Sequence, residues 1–219
     1  MRPRKIIACA TVVEELRRIG ISGDELRELD FGLHVNPEQL GKTLQAEIDA
    51  IPPGFDIVLG YGLCSNAVVG LSSSSNRLII PRIDDCIALF LGSKDEYQRR
   101  LSEEPGTYFL TKGWIEAADH PYREFLRMSE RYGSEKAMRV VKLMLANYRR
   151  MVLINTGNYH LDACREAART MAEVLGLRYE EIPGSNRMLK MMLDGDWSRE
   201  FVVAEPGESI ELSHFLLVC

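Results

Sequence analysis

Phe55-Asp56-Ile57-Val58-Leu59, followed at once by Gly60-Tyr61-Gly62-Leu63-Cys64-Ser65-Asn66, reads as a buried strand that runs into a glycine-rich turn. A short apolar run bounded by turn residues suits a strand covered on both faces. The same pattern recurs on either side. Upstream, Lys5-Ile6-Ile7-Ala8-Cys9 is another short apolar run, and Val12, Val13, Leu16 and Ile19 after it keep helical spacing. Leu29 to Leu33 reads as a second strand. Asn36-Pro37 then opens a helix to about Ala50, with Asn36 as cap and Pro37 in the first turn, and Pro52-Pro53-Gly54 ends that segment. Downstream, Leu78-Ile79-Ile80 is a strand stopped by Pro81, and Asp84 or Asp85 can cap a helix from Cys86 to Leu91.

The middle of the chain differs. Thr107 to Leu110 reads as a strand, and Trp114 to Arg150 is largely helical with breaks near Pro121 and Gly133. The alternation resumes with a strand at Met151 to Ile154, a helix at Leu161 to Leu175 and a strand at Leu177 to Ile182. A short helix from Ser185 to Leu193 and a last strand from Phe201 to Ala204 complete the pattern. Strands alternating with helices imply parallel pairing through right-handed crossovers, hence a three-layer α/β fold with a mostly parallel sheet. The expected organisation is one two-lobed domain of two Rossmann-like halves with an intervening helical segment. The boundaries are about 1–115 for the first lobe, 116–150 for the helical segment, 151–205 for the second lobe and 206–219 for a C-terminal tail. Sheets of this kind hold ligands beyond the carboxyl ends of their strands.

Composition narrows the function classes. The 219 residues are 46% hydrophobic and 27% charged, enough for a sizeable core. Lys and Arg number 27 against 32 Asp and Glu, for a net charge of −5. That balance argues against a surface for nucleic-acid phosphates. No stretch approaches the ~20 consecutive apolar residues of a membrane span. The basic start is followed by a short apolar run and then acidic residues, unlike a secretory signal. The expectation is a cytoplasmic protein that binds neither nucleic acid nor membrane.

The five cysteines stand at 9, 64, 86, 164 and 219. Cys9 ends the first strand, Cys64 sits in the glycine-rich turn, and Cys86 starts a helix after the strand Leu78 to Ile80. If these strands are parallel, all three thiols project from one edge of the sheet. Such a trio can ligate a metal, since thiolates suit zinc and iron–sulfur clusters. Alternatively Cys86, close to Arg82, can act as a lone nucleophile at a helix N-terminus, although Asp84 and Asp85 oppose that. The plain alternative is burial, because cysteine is among the most buried residue types and the chain has no CxxC. Cys164 lies at helical spacing and reads as core, and Cys219 is the last residue.

Other positions carry weaker signals. Asp85 can position a proton or cap its helix. Arg82 can clamp an anionic group or pair with Asp84 or Asp85. Gly60-x-Gly62 allows close backbone approach but lacks the third glycine of a dinucleotide fingerprint, and no P-loop occurs. Gly62, Asn66 and Thr156, each in a turn after a strand, are the candidate cofactor-contacting positions. Thr156 lies in Asn155-Thr156-Gly157-Asn158-Tyr159-His160, whose backbone amides can hold an anion. Met128, Met138, Met144 and Met151 read either as core or as the face of a homodimer.

Three segments carry a resemblance: Gly60-Tyr61-Gly62-Leu63-Cys64, Ile80-Pro81-Arg82-Ile83-Asp84-Asp85-Cys86-Ile87, and Pro105-Gly106-Thr107-Tyr108-Phe109 with Gly113-Trp114-Ile115-Glu116. On these the chain resembles the domain-of-unknown-function 1638 family, uncharacterised proteins of anaerobic bacteria and methanogenic archaea. The resemblance extends from the Ile6-Ile7-Ala8-Cys9 start to Asn155-Thr156-Gly157-Asn158-Tyr159 and Ala204-Glu205-Pro206-Gly207. It implies cysteines matching Cys9, Cys64 and Cys86, and it supplies no substrate. By analogy with enzymes that gather three cysteines from separate Rossmann-like units, the first choice of cofactor is a 4Fe-4S cluster, with zinc close behind.

The functional expectation is a metal-dependent protein, as an enzyme a lyase or transferase, acting on a small anionic substrate at a Cys9/Cys64/Cys86 centre. Asp85 and Arg82 are its expected catalytic residues. The alternatives are a metal or cofactor carrier without turnover, and a metal-free cysteine nucleophile.

Overall fold

Residues 2–21, 23–117, 119–197 and 199–216 are described by the computed structural model. In chain order the elements begin β1 (Arg4–Cys9), α1 (Ala10–Arg18), β2 (Leu26–Leu29), α2 (Pro37–Asp49), β3 (Asp56–Gly60), β4 (Arg77–Pro81), α3 (Ile87–Leu91) and α4 (Lys94–Glu103). They continue β5 (Thr107–Leu110), α5 (Lys112–Ala117), α6 (Pro121–Tyr132), α7 (Ser134–Met144), β6 (Arg150–Asn155), α8 (Asp162–Leu175), β7 (Arg178–Pro183), α9 (Arg187–Asp194) and β8 (Phe201–Ala204). The fold is α/β, with parallel sheets flanked by helices. It divides into two units, residues 1–96 with 185–219, and residues 97–184.

The first unit is built on a five-stranded sheet in the order β2-β1-β3-β4-β8. β1 pairs parallel with β2 and β3, and β3 parallel with β4. Every residue of β3 is buried, as is all but the first residue of β4. Two-sided burial is why these strands are unbroken apolar runs rather than alternating ones. From β1 the chain crosses to β2 on one side and later returns to β3 on the other. That reversal makes the gap between β1 and β3 the topological switch point, where open α/β sheets bind ligands. Gly60 pairs with Ala8 there, and a Cβ on Gly60 would lie 2.5 Å from that of Ala8. At the opposite end, the Asp56 carboxylate accepts two hydrogen bonds from the Arg77 guanidinium, at 2.8 and 2.7 Å.

The second unit carries the parallel sheet β5-β6-β7. Its core includes Leu110, Val141, Met151 and Leu153, with Cys164, Ala168, Met171 and Leu175 from the buried stripe of α8. Among the described residues no helix is long and apolar enough to cross a membrane.

Several elements match the sequence expectation closely. Asn36 caps α2 by accepting from the Gln39 amide, with Pro37 in the first turn, and β5 and β8 fall on their expected residues. Four features correct it. The second strand is Leu26–Leu29, and Phe31–Val35 is a 3-10 turn where Leu29 to Leu33 reads as strand. α4 was not foreseen: none of its residues is buried, so no apolar period marks it, and the Ser93 hydroxyl starts it by accepting from the Glu96 amide. β8 joins β4 antiparallel, which closes the first sheet with the only antiparallel pair among its described strands. The lobe boundaries also move: β5 pairs with β6, and β8 belongs with β4, the reverse of the expected assignment. Pairing partners of edge strands are set by long-range packing, to which local pattern is blind.

His120, 3% exposed, caps α6: its Nδ1 accepts from the Arg123 amide at 3.2 Å. Burial and then the Arg123 charge lower its pKa from the usual 6.5. The unfolded chain therefore takes up a proton that the folded one resists, so stability is full above about 6.5 and is lost as pH falls below it. The melting temperature should drop on acidification from neutral to about pH 5. It should drop less in His120→Asn, which keeps a cap acceptor without a titrating ring; equal slopes in both proteins would refute this.

Candidate functional site

The carboxyl ends of the four parallel strands of the first unit each deliver a polar side chain. Cys9 is the last residue of β1, and His34 lies in the turn after β2. Tyr61 and Cys64 follow β3, and Asp85 and Cys86 follow β4. Cys9 is fully buried at the N-terminus of α1, with its sulfur 3.0 Å from the Thr11 hydroxyl. The amides of Thr11 and Val12 also favour its thiolate, but burial outweighs them and raises its pKa above 9.0.

Two loops are laced together to set the other thiols. The Leu63 amide donates to the Ile83 carbonyl at 2.8 Å, and the Cys64 amide to the Asp84 carbonyl at 3.0 Å. Gly62 permits this approach: a Cβ there would lie 2.8 Å from the Ile83 oxygen and 2.9 Å from the Asp85 nitrogen. The turn then adopts a conformation that L-residues seldom take, with φ of 44°, 57° and 68° at Cys64, Ser65 and Asn66. Three successive left-handed residues without glycine persist only where the surroundings dictate them, and such strain concentrates at functional sites. Asp85 caps the next helical turn by accepting from the Ile87 amide at 2.9 Å, so its capping reading is realised.

The thiols act on one another. Burial pushes Cys64 up to about 12, helped by the charge of Cys9 and then of Asp85. Cys86, 5% exposed, is raised by burial and then by the charges of Cys9, Cys64 and Asp85. Tyr61, 1% exposed, is raised by burial and by the charges of all three cysteines. Cys9, Cys64, Cys86, Asp85 and Tyr61 thus share one electrostatic neighbourhood. Among the described residues no group of three or more His, Cys, Asp or Glu side chains is arranged to hold a metal ion as it stands.

The remaining sequence candidates lie as follows. Arg82 donates from one guanidinium nitrogen to the His214 carbonyl and from the other to the Phe201 carbonyl at 3.3 Å, and the lysine that pairs with Asp84 is Lys94. Arg82 therefore tethers the C-terminal segment and also lines a cavity of about 340 Å³ with Ser93, Lys94 and Glu200. Gly62 serves close packing of two loops. Asn66 lines a different cavity of about 400 Å³, with Ser65 and Lys42. Thr156 belongs to the second unit, where a cavity of about 520 Å³ is lined by Asn155, Thr156, Gly157 and Glu181. Cys219 lies outside the described residues. His34 was missed by sequence reasoning, because the run to Leu33 read as strand hid the turn that presents it. The available signal was its place two residues before the Asn36 cap.

Fold and site together define an open-sheet α/β protein whose first unit brings three thiols, Cys9 and Cys86 buried and Cys64 half-buried, to the carboxyl edge of its sheet. The family model for a protein of unknown function (DUF1638) matches residues 28–193, and the chain belongs to that family. The matched span holds Cys64 and Cys86 and begins after Cys9. No curated protein and no solved structure matches the chain.

Replacing Gly62 by Ala would drive a methyl group into backbone that cannot yield. It should cost about 2 kcal/mol of stability and free Cys64 to react faster with iodoacetamide. Unchanged melting and unchanged alkylation would show that the lacing does not hold the thiol.

Proposed function

We propose that the first unit is a metal-dependent catalytic centre in which Cys9, Cys64 and Cys86 are the protein ligands. The observation that carries this reading is the delivery of three thiols from three adjacent strand ends into one electrostatic neighbourhood at the switch point. The charges acting on Cys64 and Cys86 are negative ones, from the other thiols and Asp85. Burial and mutual charge thus oppose ionisation, and a bound cation would supply the stabilisation that thiolate ligands need there. A 4Fe-4S cluster is the first choice and zinc the alternative, because a cluster takes its thiolates from separated points whereas zinc needs all of them about 2.3 Å from one atom. With three protein ligands, either group leaves a position open at which an oxygen or sulfur atom of a small substrate is polarised.

The chain's own residues supply the surroundings. The laced loops fix Cys64 relative to Cys86. Asp85 stands close enough to influence both thiols electrostatically and is the candidate proton acceptor. Arg82 stands outside this reading, since its guanidinium is committed to the carbonyls of Phe201 and His214. A metal-free nucleophile would have to ionise against burial, which raises all three thiols, with no cation to offset it. Lyase and group-transfer chemistry both fit such a centre.

Protein purified without oxygen should contain about four iron and four sulfide per chain, or one zinc. Each of Cys9→Ala, Cys64→Ala and Cys86→Ala should lose most of it, while Cys164→Ala in the second unit keeps it. Metal-free wild-type protein, or three cysteine variants that all retain metal, would sink the proposal.

A further inference from the structure

Among the described residues Tyr61 is the largest fully buried side chain of the first unit, and its hydroxyl has no hydrogen-bond partner among them. A buried phenol without a partner lowers stability, and native proteins keep few such groups without a reason. Its location supplies one. The residue sits between Gly60 and Gly62, at the mouth of the turn that carries Cys64, and it feels the charges of Cys9, Cys64 and Cys86.

The ring is part of an aromatic stack. His34 lies against Tyr61 with centroids 5.8 Å apart and planes at 27°, and Phe31 lies against His34 at 5.0 Å and 22°. His34 Nδ1 is 3.0 Å from the Phe31 carbonyl, which only accepts, so Nδ1 carries the proton and Nε2 a lone pair. Burial keeps this imidazole neutral, and Nε2 is a second buried polar atom without a partner in the protein. The stack thus presents one unsatisfied donor, the Tyr61 hydroxyl, and one unsatisfied acceptor, His34 Nε2. Other buried polar groups near strand ends, such as Thr11 and Asn76, are satisfied within the protein.

We propose that Tyr61 donates a hydrogen bond to an oxygen or nitrogen acceptor of the small ligand held at the three-thiol centre, and that His34 Nε2 accepts from a hydroxyl or N–H of that ligand. This rests on the reading of the thiols as a metal centre and narrows the ligand class it admits. The ligand carries an acceptor atom and a neighbouring donor, as hydroxamates, hydroxy acids and amides do. Tyr61 and His34 are then binding residues, and the hydroxyl of Tyr61 is retained at the expense of stability.

The test uses the full-length protein purified without oxygen, Tyr61→Phe beside wild type, with acetohydroxamate as the probe and calorimetry as the readout. Metal content should be unchanged in the variant. Its melting temperature should be equal or higher, because an unsatisfied hydroxyl is gone. Affinity for acetohydroxamate should fall about tenfold, the loss of one hydrogen bond to a ligand. His34→Ala should weaken acetohydroxamate but not azide, which offers acceptors only. Unchanged affinity in Tyr61→Phe with normal metal overturns this inference and leaves the metal centre standing. Metal-free wild-type protein overturns the metal centre and this inference with it. A lower melting temperature with unchanged affinity shows a structural hydroxyl and also overturns it. Should Tyr61→Phe fail to fold, isotope-labelled tyrosine in the wild type replaces it: the Tyr61 ring signal shifts on adding acetohydroxamate, and no shift overturns the inference.

Discussion

Two backbone hydrogen bonds, from the amides of Leu63 and Cys64 to the carbonyls of Ile83 and Asp84, join the turn after β3 to the segment after β4. Neighbouring parallel strands normally diverge into independent loops, which are free to vary and to move. Here the loops cannot separate without breaking both bonds, each worth about 0.5–1.5 kcal/mol. Gly62 makes the contact possible and the left-handed run at Cys64, Ser65 and Asn66 is its consequence. The positions of two thiols are thereby fixed by backbone alone, and the third is fixed by the end of β1 at the N-terminus of α1.

That arrangement opposes the ionisation of each thiol. Burial raises each of them, and each negative neighbour raises Cys64 and Cys86 further. A strained turn, a phenol without a partner and crowded thiols therefore concentrate at one edge of an otherwise well-satisfied sheet. Such local violations gather where a protein binds or reacts, because function and not packing keeps them there.

Much of the scaffold was legible because it follows from short-range chemistry. The Asn36-Pro37 start of α2, the buried runs of β1, β3 and β4, and the turn after Gly60 all declare themselves within a few residues. From parallel pairing alone the three cysteines fall at one edge, which is where the sheet puts them. What escaped depended on distant partners. β5 and β8 were found as strands but given to the wrong sheets, and α4 has no apolar stripe to betray it. The turn at 31–35 was hidden because Phe31 and Leu33 imitate a strand, and His34 went with it. Arg82 looked like an anion clamp, since nothing local announces that the carbonyls of Phe201 and His214 meet it.

Of the three proposed ligands Cys9 is the one on which the three-strand account turns, for it comes from the far side of the switch point and lies before the span that the family model matches. X-ray absorption at the metal edge of the anaerobically purified protein, wild type beside Cys9→Ser, tests it most directly. The account predicts a first shell of sulfur in the wild type, with one sulfur replaced by oxygen or lost together with the metal in the variant. A bound metal whose sulfur shell is absent, or is identical in the two proteins, would contradict it.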